Sequence, residues 1–413
     1  MELAIEEQLI LDGEKGESAR NALEYQIRVG EYYGAEKFIP ITQAHITADI
    51  EVMGESGLTF LEKQKELGAR FVVPTSTNAR CVDFENGLQL GQNPETFSKE
   101  RRVIEAVKSF GAMTIDTCIN YQVAYQPHLG EHIAWGDTGT VIYANSVFGA
   151  RTNYESGPAA LAASITGRVP AYGFHLEENR RATMVVDVDA SIQDIADWGI
   201  LGRIIGSKVF DYRGVPALTN VKRFSPTSDG LKHLGASMAT WSVGMFHAVG
   251  VTPEARSIED VTKGNTEVEH IKITDRDIKT EYETFKYDDP KVRLVVLSGP
   301  QLSLVEIGKV AYLLEGRKIH PDTTFIITAS ASTLAQAQQA GYVETIKNAG
   351  GTFLAGVCFY ILDGLSDIRK RNGWSTMVTN SVKLANNVKA HRFVPVVQKT
   401  KDCIDIAVRG RIG

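Results

Sequence analysis

Apolar positions along the chain recur at helical spacing in some stretches and in short continuous runs in others, and the two alternate. Residues 3–33 have helical spacing, opened by Leu3, Ala4 and Ile5, interrupted by Gly13 and Gly16, and continued from Ala19 to Val29. A strand is then expected at Lys37–Ile41, a helix at Ser56–Leu67, a strand at Arg70–Pro74, a helix at Pro94–Phe110 and a strand at Met113–Asp116, just before Cys118. The succession returns late in the chain. Strands are expected at Val292–Leu297, Thr324–Thr328 and Thr352–Gly356, the last just before Cys358. Helices are expected at Leu302–Leu314 and at Ser332–Asn348, with Gly341 as a break. FVVPTSTN can be laid against FIITASAS and GAMTIDTC against GGTFLAGVC, an internal pseudo-repeat.

Between the blocks, Ala182–Val188 alternates like a strand and Ile192–Ile205 reads as a helix, while residues 253–290 are charged and suit a surface element or a connection. Ile404–Val408 is expected to be a terminal strand. The division that follows is 1–180, 181–290 and 291–413. Strands alternating with helices imply an α/β protein with parallel sheets. Ligands of such sheets gather at the carboxyl ends of strands, where Cys118 and Cys358 both fall.

Composition narrows the class. The 413 residues are 43% hydrophobic and 23% charged with a formal charge of −6. No Lys/Arg cluster suggests nucleic acid. No run approaches the roughly 18 apolar residues of a membrane span. The acidic start, MELAIEEQLILDGEKGE, lacks a signal-peptide core. The four cysteines, Cys81, Cys118, Cys358 and Cys403, are scattered, as in a reducing compartment, so a cytoplasmic setting is expected.

The candidate chemistry centres on Gly130–Arg168, where glycines alternate with Glu131, His132, Asp137, Asn145, Arg151 and Asn153. Close backbone approach and buried polar groups in need of partners suit a cleft for a small polar ligand. Arg151 could grip a carboxylate bidentately. Thr77 and Asn78, in TSTN, and Ser298-Gly299-Pro300 each follow an expected strand and are candidates for ligand contact or plain turn chemistry. Lys383, in TNSVK, could contact an anion or act as a base. Cys81, Cys118 and Cys358 all lie on the carboxyl side of strands, and three thiolates could hold an iron–sulfur cluster with one open iron. A cysteine nucleophile is the other reading, with His45, His128, His132 and His175 as partners that spacing does not separate. Phosphate-loop and dinucleotide-binding glycine patterns are absent.

GEHIAWGDTGTVIYANSVFGARTN, the following GPAALAASITGRVPAYGFHL, and TNSVK resemble the aconitase X family, and the likeness extends over nearly the whole chain. The resemblance implies an aconitase-like fold of several three-layer α/β domains with mainly parallel sheets around a central cleft. It also implies dehydratase activity, on cis-3-hydroxy-L-proline or on 5-phosphomevalonate. A smaller swivel domain belongs to the family, and 413 residues end soon after TNSVK, so a large subunit with a separate small subunit is expected. Cys118 in DTC and Cys358 in GVC match the family's cluster ligands. The phosphomevalonate type has a third cysteine in a G-C-P-H turn, where this chain reads LSGPQLS with Gly299, and Cys81 is the expected replacement, as in the hydroxyproline type. A two-iron cluster is favoured over a four-iron one. Carried over, the resemblance implies Lys383 and His45 in catalysis, and Thr77, Asn78, Arg151, Asn153 and Ser381 around a hydroxy amino acid. The base is expected on the swivel domain or at Lys383. A cluster-free proline-derivative isomerase or racemase and a non-catalytic scaffold remain open alternatives.

Overall fold

A computed structural model describes residues 1–155, 157–264 and 268–413. Ser156, in the glycine-rich stretch, and residues 265–267, in the charged 253–290 stretch, lie outside the described residues.

The late block is a five-stranded parallel sheet in the order Gly351–Ala355, Thr324–Ala329, Leu294–Leu297, Thr376–Thr379, Val394–Val397. Leu294–Leu297 is buried throughout, as a central strand covered on both faces must be. Its flanking helices start where the sequence supplies caps. Ser303 accepts from the Glu306 amide at 3.2 Å and Glu306 reaches back to the Ser303 amide at 2.9 Å. This capping box opens Leu304–Leu314. The chain winds outward from Leu294–Leu297 in one direction, then returns to its other side at Thr376–Thr379. That reversal opens a crevice at the carboxyl ends of these two strands.

The middle block is a four-stranded parallel sheet, His247–Ala248, Pro216–Thr219, Met184–Asp189, Glu269–Thr274. Helices Ile195–Val209 and Ser228–Ala239 pack closely on each other, and a Cβ at Gly202 would stand 2.3 Å from the Leu234 carbonyl. The charged 253–290 stretch is therefore more than a connection: Glu269–Thr274 is an edge strand and Asp275–Tyr282 a helix.

The first block departs furthest from the expected pattern. Its parallel sheet has only three short strands, Thr75–Thr77, Ala44–Ile46 and Ala134–Trp135. Phe71–Val73 is no strand. Phe71 packs on Phe110 with ring centroids 5.5 Å apart, and Val72 is exposed. Pairing begins only after Pro74, which has no amide hydrogen to give a ladder. Met113 contributes a single bridge to Ser76, and Phe38–Pro40 pairs antiparallel with Arg168–Pro170 outside the parallel sheet. Pro94–Phe110 is helical as expected, with Asn93 capping the Glu95 amide at 3.0 Å and Gly111 closing it at φ 109°. Asparagine before the first turn and a left-handed glycine after the last are the usual helix boundaries. Ile404–Val408 belongs to helix Thr400–Arg409, not to a strand: Cys403, Ile404 and Ala407 form its buried face. Among the described residues no helix is long and apolar enough to cross a membrane.

A buried ionic cluster joins the middle and late blocks. Lys232 pairs with Asp229 at 3.0 Å and with Glu306, which also takes His233 Nε2 at 2.9 Å. Burial alone would raise the Glu306 carboxyl, but Lys232 and His233 pull it down to about 2. Glu306→Gln leaves Lys232 buried without its main counter-charge and is expected to cost about 3–5 kcal/mol near pH 7, read by urea denaturation. The carboxyl of the unfolded chain takes up its proton near 4.5 and that of the folded chain near 2. The stabilisation is therefore complete above pH 4.5 and lost as pH falls towards 2, so the gap between variant and wild type should narrow over that window. A gap constant across it would show that the folded chain does not hold the Glu306 carboxyl below its unfolded value.

Candidate active site

Strand ends of the first and late blocks face each other. The Arg80 amide donates to the Gly356 carbonyl at 2.9 Å, and the Cys358 amide to the Arg80 carbonyl at 3.0 Å. Across this seam Thr117 Oγ1 donates to Gln301 Oε1 at 2.7 Å, beside the crevice of the late sheet. Cys118 and Cys358 are both buried here. The Gln301 amide donates to Cys118 Sγ at 3.3 Å. Burial pushes the Cys118 thiol up to about 11 and, with Cys118 as a neighbour, raises Cys358 further, while Lys383 opposes both shifts.

Lys383 enters the site from helix Val382–Asn387. Ser381 caps that helix, accepting from the Leu384 amide at 3.1 Å and donating to the Gly299 carbonyl. A cation in the first helical turn opposes the helix dipole, and this one is only 4% exposed. Its Nζ donates to Thr138 Oγ1 at 3.1 Å and lies 3.8 Å from Asp137 Oδ2. Burial disfavours its charge, but the neighbouring acidic groups, Asp137 foremost, outweigh that and raise its pKa, so Lys383 is an ammonium at neutral pH. Asp137 is itself fixed as the cap of helix Thr138–Tyr143, accepting from Gly139 at 2.9 Å and facing Asn78 Nδ2 at 3.4 Å. Asn78 Oδ1 and His45 Nε2 are buried without partners among the described residues. His45 Nδ1 lies 2.8 Å from Ser76 Oγ, and burial lowers the imidazole to about 4, which keeps it neutral. Thr77 Oγ1 is committed to Asp116 at 2.7 Å.

Other expected site residues are placed elsewhere or spent on structure. Cys81 Sγ faces Glu100 Oε2 at 3.9 Å, and burial with Glu100 and Asp49 raises its pKa. Among the described residues no three His, Cys, Asp or Glu side chains are grouped closely enough to hold a metal ion. Arg151 donates to the His175 carbonyl at 3.0 Å, pairs with Glu177, and lines a separate cavity of about 310 Å³ with Arg180, His247 and Lys263. Asn153 donates to the Tyr172 carbonyl at 3.1 Å and accepts from the Phe174 amide and the Tyr212 hydroxyl at 2.9 and 2.8 Å.

Residues 1–178, 182–283 and 292–409 match the first, second and third domains of aconitase X. The chain belongs to the aconitase X family. The phosphomevalonate dehydratase large subunit of Methanocaldococcus jannaschii is 35% identical over 93% of this chain and 94% of that protein. That of Thermococcus kodakarensis is 36% identical over 95% and 96%. The cis-3-hydroxy-L-proline dehydratase of Pseudomonas aeruginosa is 32% identical over 98% of this chain and 70% of its own length. A crystal structure of Thermococcus kodakaraensis aconitase X in its holo-form superimposes with a TM-score of 0.88 at 34% identity, covering 98% of this chain and 100% of that one. These named relatives make the chain a member of a family of dehydratases, which are carbon–oxygen lyases.

An iron–sulfur group is the usual cofactor of aconitase-like dehydratases. In this aconitase X chain Cys118 and Cys358 fit it as thiolate donors, buried together beside an ammonium and, at Cys118, a donated amide hydrogen. Hydrogen bonds and charges around the ligands tune such a site. Cys81 as placed does not complete a three-thiolate set, because its sulfur faces Glu100. Asp137, Thr138 and Gln301 are the contributors that motif reading underweighted. An Asp before Thr-Gly-Thr at a helix start is a capping signal, so Asp137 carried a cue that Gln301 lacked. Asp137→Asn removes the anion that holds Lys383 charged. The pH at which Lys383 becomes reactive towards an amine-acylating reagent, followed by peptide mass spectrometry, is therefore expected to move down. An unchanged profile would mean that Asp137 does not govern Lys383.

Proposed function

We propose that this chain is the large subunit of a cytoplasmic hydro-lyase that removes water from a small 3-hydroxy acid, with cis-3-hydroxy-L-proline as substrate. The product is Δ1-pyrroline-2-carboxylate after tautomerisation of the first-formed enamine. The observation that carries this reading is Lys383, a buried ammonium between Asp137 and two thiols, set where strand ends of two blocks meet. Its charge suits a carboxylate or a departing hydroxyl. Asn78, which faces the same Asp137 as Lys383, is the side chain assigned to the substrate amine.

Loss of water from such an acid requires removal of the proton next to the carboxylate and help for a poor leaving group. Lys383 is assigned an electrostatic role and not that of the base, since Asp137 favours its ammonium form. His45 is neutral, but at about 4 it is a weak acceptor, so it serves to orient the site. The base is assigned to the small swivel-domain subunit that the resemblance implies. When bound, an iron–sulfur group with an open iron supplies Lewis acidity for the hydroxyl. Cys118 and Cys358 are its ligands in this reading, with the two-iron form favoured.

A second reading, the large subunit of a phosphomevalonate dehydratase, is favoured by coverage: this chain spans 94% of one such relative and 70% of a hydroxyproline dehydratase. Against it, Arg80, the buried guanidinium at the seam, is paired with Asp116 at 2.8 Å and Glu100 at 2.9 Å, so a phosphate would compete with two carboxylates for it.

The test is anaerobic purification with the small subunit, followed by iron analysis, visible absorption and turnover of both hydroxy acids. Brown protein that dehydrates cis-3-hydroxy-L-proline, and loses iron and activity together in Cys118→Ala, is the expected result. Turnover of 5-phosphomevalonate alone would select the second reading. Colourless, iron-free protein inert to both would leave the isomerase or scaffold alternatives.

A further inference from the structure

We infer that Gln301 is a positioning residue that sets the separation and orientation of the Cys118 and Cys358 thiolates; the inference rests on the reading of these two cysteines as cofactor ligands. Gln301 is 1% exposed and lies in neither cysteine's own segment. Its side chain nevertheless satisfies groups flanking both. Nε2 donates to the Asp116 carbonyl at 3.2 Å, two residues before Cys118, and to the Val357 carbonyl at 3.1 Å, the residue before Cys358. Oε1 accepts from Thr117 Oγ1 at 2.7 Å, immediately before Cys118. The backbone amide of the same residue meets Cys118 Sγ at 3.3 Å, and its carbonyl takes Lys232 Nζ at 3.4 Å.

One side chain therefore ties two ligand-bearing loops that arrive from different blocks, and its main chain is aimed at one of the sulfurs. The three side-chain bonds use both amide hydrogens and the carbonyl oxygen, so the orientation of the amide is determined by its partners. The Asp116 segment needs such a tie. Asp116 has φ 51°, a left-handed conformation that a non-glycine residue keeps only where its surroundings enforce it. Lys232 then couples this tie to the ionic cluster with Glu306, so the position of Cys118 is referred back to the joint between the middle and late blocks.

Outer-shell partners of metal ligands typically contribute about 10- to 100-fold in metal affinity. Gln301→Met keeps the length and removes all three side-chain bonds, while Gln301→Glu keeps the acceptor for Thr117 and sets a carboxylate oxygen against two carbonyls. The experiment titrates the reduced, metal-free full chain anaerobically with Co²⁺ and follows the thiolate-to-metal absorption, alongside thermal melts. The expected result is about 10-fold or greater loss of Co²⁺ affinity in both variants, with an altered band shape in Gln301→Met and a retained cooperative melt. Folded variants that bind Co²⁺ with wild-type affinity and an unchanged band overturn the assignment. Should Gln301→Met fail to fold, Thr117→Val, which removes one of the three bonds, is expected to give a smaller loss in the same direction, and no change there overturns it equally. Cys118→Ala separates the two levels. If it binds Co²⁺ as wild type does, the ligand reading itself fails; if it loses the band while the Gln301 variants keep theirs, only the positioning role fails.

Discussion

The seam at Arg80 is the contact on which the site depends. Its main chain extends the pairing of the first block into the late block, giving its amide to Gly356 and taking that of Cys358. Its guanidinium, almost fully buried, lies between Glu100 on helix Pro94–Phe110 and Asp116 on the Cys118 segment, and also reaches the Ala48 carbonyl. A buried guanidinium flanked by two carboxylates is held strongly because removing either partner would strand a charge in a medium that solvates it poorly. Arg80 thus holds the Cys358 loop through its main chain and the Asp116 segment before Cys118 through its guanidinium, with Thr77 bonded to the same Asp116.

Within that frame the charges are arranged with one anion at the centre. Asp137 raises the Lys383 ammonium, opposes the fall in His45, and adds to the rise of both thiols. An apo site of this kind holds its thiols protonated and its lysine charged. Deprotonating two thiols beside one ammonium costs less than doing so alone, because Lys383 opposes the upward shift of each. In the proposed role of these cysteines as ligands, binding a cationic group would release the thiol protons, so affinity for a metal would rise with pH through the thiol range.

Three strands of the late block, Leu294–Leu297, Thr324–Ala329 and Gly351–Ala355, were readable because they are largely apolar, buried runs with capping residues at the helix starts between them, whereas Thr376–Thr379 and Val394–Val397 complete the sheet without having been expected. The first block was not readable in this way, because its strands are three residues or fewer and Thr75–Thr77 is polar yet wholly buried, so no hydrophobic period marks it. The apolar residues beside it, Phe71 to Val73, attracted the strand assignment that belonged a few residues on. At the chain's end Ile404, Ile406 and Val408 alternate like a strand, while Cys403, Ile404 and Ala407 also fit a helical face, and tertiary packing selected the helix. Glycine-rich context was read as a cleft for a polar ligand, and in the structure Arg151 and Asn153 are bonded to protein groups. Whether such polar groups are satisfied by ligand or by protein is decided by segments distant in sequence, here residues 172–177 and Tyr212.

Topology also locates main chain more reliably than side chain. The rule that ligands collect at strand carboxyl ends puts Cys81, Cys118 and Cys358 in one region, and the main chain obeys it, since Arg80 is bonded directly to the Cys358 amide. The thiol of Cys81 lies under different control. Beyond Thr77 the chain leaves the sheet, Asn78 faces Asp137, and Cys81 packs its sulfur against Glu100 on helix Pro94–Phe110. Its carbonyl is fixed by the Asp363 amide at 3.0 Å and by Gln92 Nε2 at 2.7 Å. Its main chain is thus pinned from two sides, and the partner of its thiol is the buried Glu100 carboxyl.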